Sequence, residues 1–164
     1  MHKIKFPLFL ASASIFFASC GTSASSPSGQ PSNHTLTKSQ AAATYLKAAT
    51  TVDSSMTNFG SAMDSLAGTA DASKFQSAFT PLIRALGEFH NTLTNTAWPA
   101  SNESDVKRLS ATASTVKSDI EAIAKPNFTT LSQQGSNVVT DLANLTKYAN
   151  LFRKDLGLQP SKVV

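Results

Sequence analysis

The sequence predicts an all-α fold, an antiparallel up-down-up-down four-helix bundle over residues 37–158. Three observations carry that expectation. Apolar residues recur in four long runs at alternating steps of three and four, the spacing of one helix face. The breaks between runs are short and hold Gly, Pro and Asn, and short connections force neighbouring helices to lie antiparallel. The period-two alternation of a half-buried strand is nearly absent.

The first seam is Ala42, Tyr45, Ala49, Val52, Met56, Phe59, Met63 and Leu66. Thr37 and Gln40 have the spacing of a capping box at its start, and Gly68 is a natural stop. Such a helix runs for about 30 residues, or roughly 45 Å. The second seam is Phe75, Phe79, Leu82, Leu86, Phe89 and Leu93. Pro81 falls inside it with its ring against the Ser77 carbonyl, so the helix either kinks there or restarts from a Thr80 cap.

Val106, Leu109, Ala113, Val116, Ile120 and Ile123 form the third seam. The fourth is Phe128, Leu131, Gly135, Val138, Leu142, Leu145, Ala149, Phe152 and Leu156, closed by Gly157. Gly135 on that seam is expected to admit a bulky ring such as Phe59 or Phe89. Leu46, Ile83, Val139 and Leu151 lie off the seams and are expected to widen the apolar stripes. Residues 159–164 read as a tail.

Composition narrows the class of protein. The 164 residues are 41% hydrophobic and only 15% charged, enough for one core of ordinary size. Ser and Thr supply 41 positions, spread over the wet faces of the helices and a polar segment before them. One cysteine excludes a disulfide framework and any multi-thiolate zinc site. The net charge is +4, too small and too dispersed to indicate nucleic acid; Lys107-Arg108 and Arg153-Lys154 are isolated pairs.

The N-terminus reads as a targeting signal over residues 1–19. Lys3 and Lys5 precede an uncharged, mostly apolar run from Phe6 to Ser19, too short and too rich in serine to span a bilayer. Phe17-Ala18-Ser19-Cys20-Gly21 follows, with the sole cysteine of the chain at the end of the signal. This stretch resembles the lipobox of bacterial lipoproteins, with Phe17 where Leu is usual. The resemblance covers residues 1–21 only. It implies that Cys20 is the lipidation site, cleaved on its N-terminal side and held in the membrane by acyl chains such as palmitate. It also implies an extracytoplasmic, cell-envelope location, and an outer-membrane one in a Gram-negative host, because Gly21 is not the Asp of inner-membrane retention.

Residues 21–36, almost wholly Ser, Thr, Gly, Pro and Asn, have no apolar periodicity and read as a tether. Its r.m.s. span is roughly 20–25 Å. Removing residues 1–19 takes away two lysines, so half of the basic excess belongs to the signal.

Catalytic and cofactor motifs are scarce, and the expectation is a protein that is not an enzyme and holds no cofactor or metal. His90 is the sole histidine of the helical region, and Glu88 two residues away faces another direction. An envelope enzyme requires His90 to meet a carboxylate from another helix, such as Asp53, Asp64, Asp119 or Asp141. Haem has only Met56, Met63 and His90 to choose from, and both methionines sit on the first seam. His90 and Trp98, which precedes Pro99 at a helix end, are the candidate binding-surface residues, with sealing of the bundle's end the other role for Trp98.

The function expected is that of a lipid-anchored, non-catalytic binding or structural module whose partner is an envelope protein or polymer. The alternatives are a carrier of a small apolar or cofactor ligand between the helices and a self-associating structural protein.

Overall fold

In the computed structural model the described residues are 35–66, 72–125 and 131–161, all within one compact unit. The signal, Cys20, the tether before Thr35, Gly68 and Phe128 lie outside them. Four helices follow one another: α1 (Lys38–Leu66), α2 (Ala72–Asn95), α3 (Glu103–Ala124) and α4 (Leu131–Leu156). A single 3-10 turn, Ala100–Asn102, leads into α3. No strand occurs among the described residues. Consecutive helices pack antiparallel along their lengths, and α1 and α4 close the bundle with a sparser contact. The expected four-helix bundle is the fold.

Local chemistry accounts for the helix ends. The Thr37 amide donates to Gln40 Oε1 at 2.9 Å, and the Gln40 amide donates back to Thr37 Oγ1 at 3.3 Å. This reciprocal capping box satisfies two donors that the first turn of α1 leaves free. Glu103 and Asp105 sit in the first turn of α3 and Arg153 and Lys154 in the last turn of α4, each with the sign that the helix dipole favours. Gly157 ends α4 at φ 77°, a conformation natural only to glycine. The Leu158 amide then donates to the Arg153 carbonyl and the Gly157 amide to that of Lys154, a complete Schellman motif.

The seams face inward as the spacing requires. Tyr45, Ala49, Val52, Phe79, Leu82, Leu86, Phe89, Leu93, the α3 seam residues Val106, Leu109, Ala113, Val116 and Ile120, and Leu145, Ala149, Phe152 and Leu156 are buried. On α1 and α4 the fully buried residues are confined to the half at which α1 begins and α4 ends, whereas on α2 and α3 they continue past the middle to Phe79 and Ile120. Met56, Phe59, Met63, Ile123, Val138 and Leu142, toward the other end, are only partly buried.

Two expectations need correction, and one open alternative is decided. Leu46, Val139 and Leu151 do not widen the core stripe; they are 36%, 61% and 41% exposed, being turned about 100° or more from their helices' buried faces. Ile83 does pack against the core. Gly135 admits no ring. A β-carbon there would meet nothing within 4 Å, while Phe89 sits beside Tyr45 and Phe59 beside Phe79. Helix α2 passes through Pro81 without a fresh start at Thr80, and both Pro81 and Ser77, whose carbonyl the ring opposes, are exposed.

Open glycines in helix interiors are a stability reserve. Gly60 and Gly135 both have empty space at the β-carbon position. Gly60→Ala and Gly135→Ala are each expected to stabilise the bundle by roughly 0.5–1 kcal/mol by restricting the unfolded chain. Urea unfolding checks this: the midpoint rises with an unchanged slope.

Candidate functional site

Helices α2 and α3 bring His90 and Ser110 together. His90 Nδ1 lies 3.0 Å from Ser110 Oγ and 3.1 Å from the Ser110 carbonyl oxygen. A carbonyl only accepts, so the arrangement favours the tautomer with the proton on Nδ1, donating toward the carbonyl. In that tautomer Nδ1 donates and takes no proton from Ser110; with the proton on Nε2 it accepts from the Ser110 hydroxyl instead. Both hydrogen bonds of His90 go to Ser110, so the carboxylate partner required of an enzyme does not meet it. Asp53, Asp64, Asp119 and Asp141 are not among its partners.

His90 and Ser110 line a shallow groove of about 940 Å³ that is open to solvent. Thr94, Trp98, Glu103 and Lys107 complete its sides. Only an edge of Trp98 reaches it. The ring is 7% exposed, stands edge-on to Phe152 at 5.2 Å, and donates its Nε1 proton to the Leu93 carbonyl at 2.7 Å. Trp98 therefore seals this end of the bundle, and little indole surface is left for a partner. A second open groove of about 450 Å³ runs beside Phe59, Ala62, Ala78 and Pro81 between α1 and α2.

The core around these residues is aromatic. Trp98, Phe152, Tyr45 and Phe89 form a continuous chain of edge contacts at 5.2, 5.2 and 6.0 Å. Tyr45 is fully buried, and its hydroxyl has no hydrogen-bond partner. Burial pushes that phenol up to about 12. The Arg153 guanidinium, 5.8 Å from the ring centroid, offsets part of the shift by its charge without a well-formed bond to the hydroxyl. Met56 and Met63 pack against the core from α1, where they fill space.

Two pairs of acids face each other across α3 and α4. Asp105 shares a hydrogen bond with Asp155, which with burial and the neighbouring negative charge raises its pKa; Arg108 opposes the rise. Asp119 is raised by burial first and then by Asp141. Both pairs obey one antiparallel register, fourteen residues onward in α3 matching fourteen back in α4, about 21 Å apart. Among the described residues no three His, Cys, Asp or Glu side chains gather as a metal site requires.

The sign of the pH effect follows from the direction of the shifts. A carboxyl raised in the fold binds its proton more tightly folded than unfolded, so the pair destabilises the bundle at neutral pH. That penalty disappears as pH falls through the folded value toward the unfolded one, about 3.9. Asp119→Asn is expected to raise stability at pH 7 by roughly 0.2–1 kcal/mol, the range of close surface charge pairs. The gain should vanish near about pH 2, well below the unfolded value of about 3.9, where Asp119 is protonated folded and unfolded alike. Denaturant midpoints of native and variant proteins at the two pH values measure it; a constant gain would refute the pairing.

Sequence reasoning found His90 and Trp98 but missed Ser110 and the acid pairs. Ser110 directly follows the seam residue Leu109, and that position beside the stripe is the one signal that it meets a neighbouring helix.

The fold and this site define a helical-bundle protein with an open, partly polar groove between α2 and α3. Compared with protein-family models, curated proteins and solved structures, the chain has no match.

Proposed function

We propose that the chain is a bacterial lipoprotein, held to the cell envelope by acyl groups on Cys20, whose bundle is a non-catalytic binding or structural module. One observation carries this reading: the only cysteine of the chain stands in Ala18-Ser19-Cys20-Gly21, directly after a basic and then apolar segment. A cysteine in that place has a chemical role open to it, thioether attachment of a diacylglyceryl group, and no core to enter. Each buried acyl CH₂ contributes about 0.8 kcal/mol, so two or three chains anchor the protein durably. No helix among the described residues is long and apolar enough to cross a membrane. Gly21 favours the outer membrane where the host has one.

Support for a non-catalytic bundle comes from the side-chain hydrogen bonds of His90, which go to Ser110 and to no carboxylate among the described residues, and from the packed core beside it. The groove between α2 and α3 is the surface offered to an envelope protein or polymer.

Cys20→Ala tests the anchor. Cells grown with labelled palmitate are expected to label the native protein and leave it in the membrane fraction, whereas the variant takes up no label. Undiminished labelling of the variant, with membrane retention equal to that of the native protein, overturns the proposal.

A further inference from the structure

Charge is unevenly distributed along the bundle. The N-terminal halves of α1 and α3 and the C-terminal halves of α2 and α4 share one end, and together hold eight Lys or Arg against four Asp or Glu. The opposite halves of the same helices hold two against five. The molecule is an axial dipole although its net charge is small.

The positive end is also where the chain enters the fold. The Leu36 amide donates to the Ala97 carbonyl at 2.8 Å, fixing the start of α1 beside the α2–α3 connection. The other terminus returns to the same end, where Asn150 exchanges hydrogen bonds with Ser161. Lys38, Lys107, Arg108 and Lys154 are exposed there, and none is held in an ion pair among the described residues, although the charge of Arg108 is felt by Asp105. Arg153 is turned inward, over the Tyr45 ring and onto the Gln159 carbonyl. The carboxylates at this end are Glu88, paired with Arg84, and Glu103, Asp105 and Asp155, of which the last two face each other. Toward the opposite end Lys117 is neutralised by Glu121 at 2.6 Å.

We infer that this basic end docks on the anionic lipid headgroups of the membrane to which Cys20 tethers the chain, so that the bundle stands with its acidic end outward. The inference rests on the lipid anchor proposed above. Three features select this partner. The free cations are close to the point where the tether joins. The tether's composition gives it a reach of roughly 20–25 Å, about half the bundle's length, which keeps that end nearest the surface. A lipid-attached domain also meets its own membrane at a high effective concentration that no free acidic ligand matches. Each Lys or Arg near an anionic leaflet shifts the docked-to-undocked ratio roughly fivefold, and salt screens the effect within a Debye length.

The chain's single tryptophan makes the test direct, because Trp98 lies at the docking end. The lipidated full-length protein is inserted into vesicles of phosphatidylcholine alone, or of phosphatidylcholine with roughly a third phosphatidylglycerol. Both carry a trace of headgroup-dansylated lipid as energy acceptor. Transfer from Trp98 is expected to be greater on the anionic vesicles and to fall to the neutral level in about 0.5 M salt. Lys107→Glu with Arg108→Glu should abolish the excess, and Lys74→Glu with Lys125→Glu, toward the other end, should leave it. An unchanged thermal midpoint shows that the charge variants are folded. Equal transfer on the two vesicle types, or indifference to the Lys107 and Arg108 changes, overturns the inference. If the protein instead fails to float with neutral vesicles, the anchor itself is refuted, a result separate from the docking outcome.

Discussion

Trp98→Ala is expected to destabilise the bundle by about 3–5 kcal/mol, with a fall in thermal midpoint of roughly 10–20 °C. Three losses add up at this position. The indole leaves the core at the end of the bundle, where it is 7% exposed. Its edge contact with Phe152 at 5.2 Å disappears. The Leu93 carbonyl, which accepts the Nε1 proton at 2.7 Å, is left with one partner fewer beside a cavity. Trp98→Phe separates these contributions by keeping most of the apolar area and removing the donor, so its cost should be nearer 1–2 kcal/mol, or about a third of the full effect. Reversible urea unfolding followed by circular dichroism measures both. A Trp98→Ala protein within about 1 kcal/mol of native would mean that the ring is not part of the core.

Phe152→Ala is expected to cost as much, about 3–5 kcal/mol, because Phe152 is the middle of the aromatic chain. It touches Trp98 from the α2–α3 connection and Tyr45 from α1, both at 5.2 Å. Removing it breaks two edge contacts and opens a hole next to the buried Tyr45 hydroxyl, which has no protein partner. Water entering that hole offers the hydroxyl a hydrogen bond, which places the cost at the lower end of the range. Because the two rings share a contact, the Trp98→Ala, Phe152→Ala double variant should lose less than the sum of the single losses, by at least about 0.5 kcal/mol. Additivity within error would show that the rings act independently.

The same aromatic chain shows how far the sequence could be read. The seams predicted the buried positions of α2 and α3 almost residue by residue, from Phe79 to Leu93 and from Val106 to Ile120. Thr37 with Gln40 marks the start of α1 and Gly157 the end of α4, because caps depend on bonds within a few residues. Gly135 was misread, since spacing places a residue on a face but does not say whether anything stands opposite. Leu46, Val139 and Leu151 were misread for the related reason that apolar character off the seam carries no information about burial.

Of the candidate site, His90 stood out in the sequence by its rarity, but its partner did not. Ser110 is one hydroxyl among 41 Ser and Thr, and only the packing of α2 on α3 puts it 3.0 Å from the imidazole. The facing acids were hidden in the same way. The sequence alone offers Asp119 and Asp141 to His90, whereas the register of α3 against α4 makes them partners of each other.

Periodicity, capping residues and short breaks determined the class of fold, the number and order of helices and their buried faces. These are local properties, set by 3.6 residues per turn and by bonds that span one turn. Tertiary structure alone decided which side chains meet: Tyr45 with Phe152, His90 with Ser110, Asp105 with Asp155. It also decided which end of the bundle collects the free cations. Antiparallel packing brings residues far apart in sequence to one level of the bundle axis. Their distances depend on rotation and axial shift of whole helices, which no window of sequence encodes.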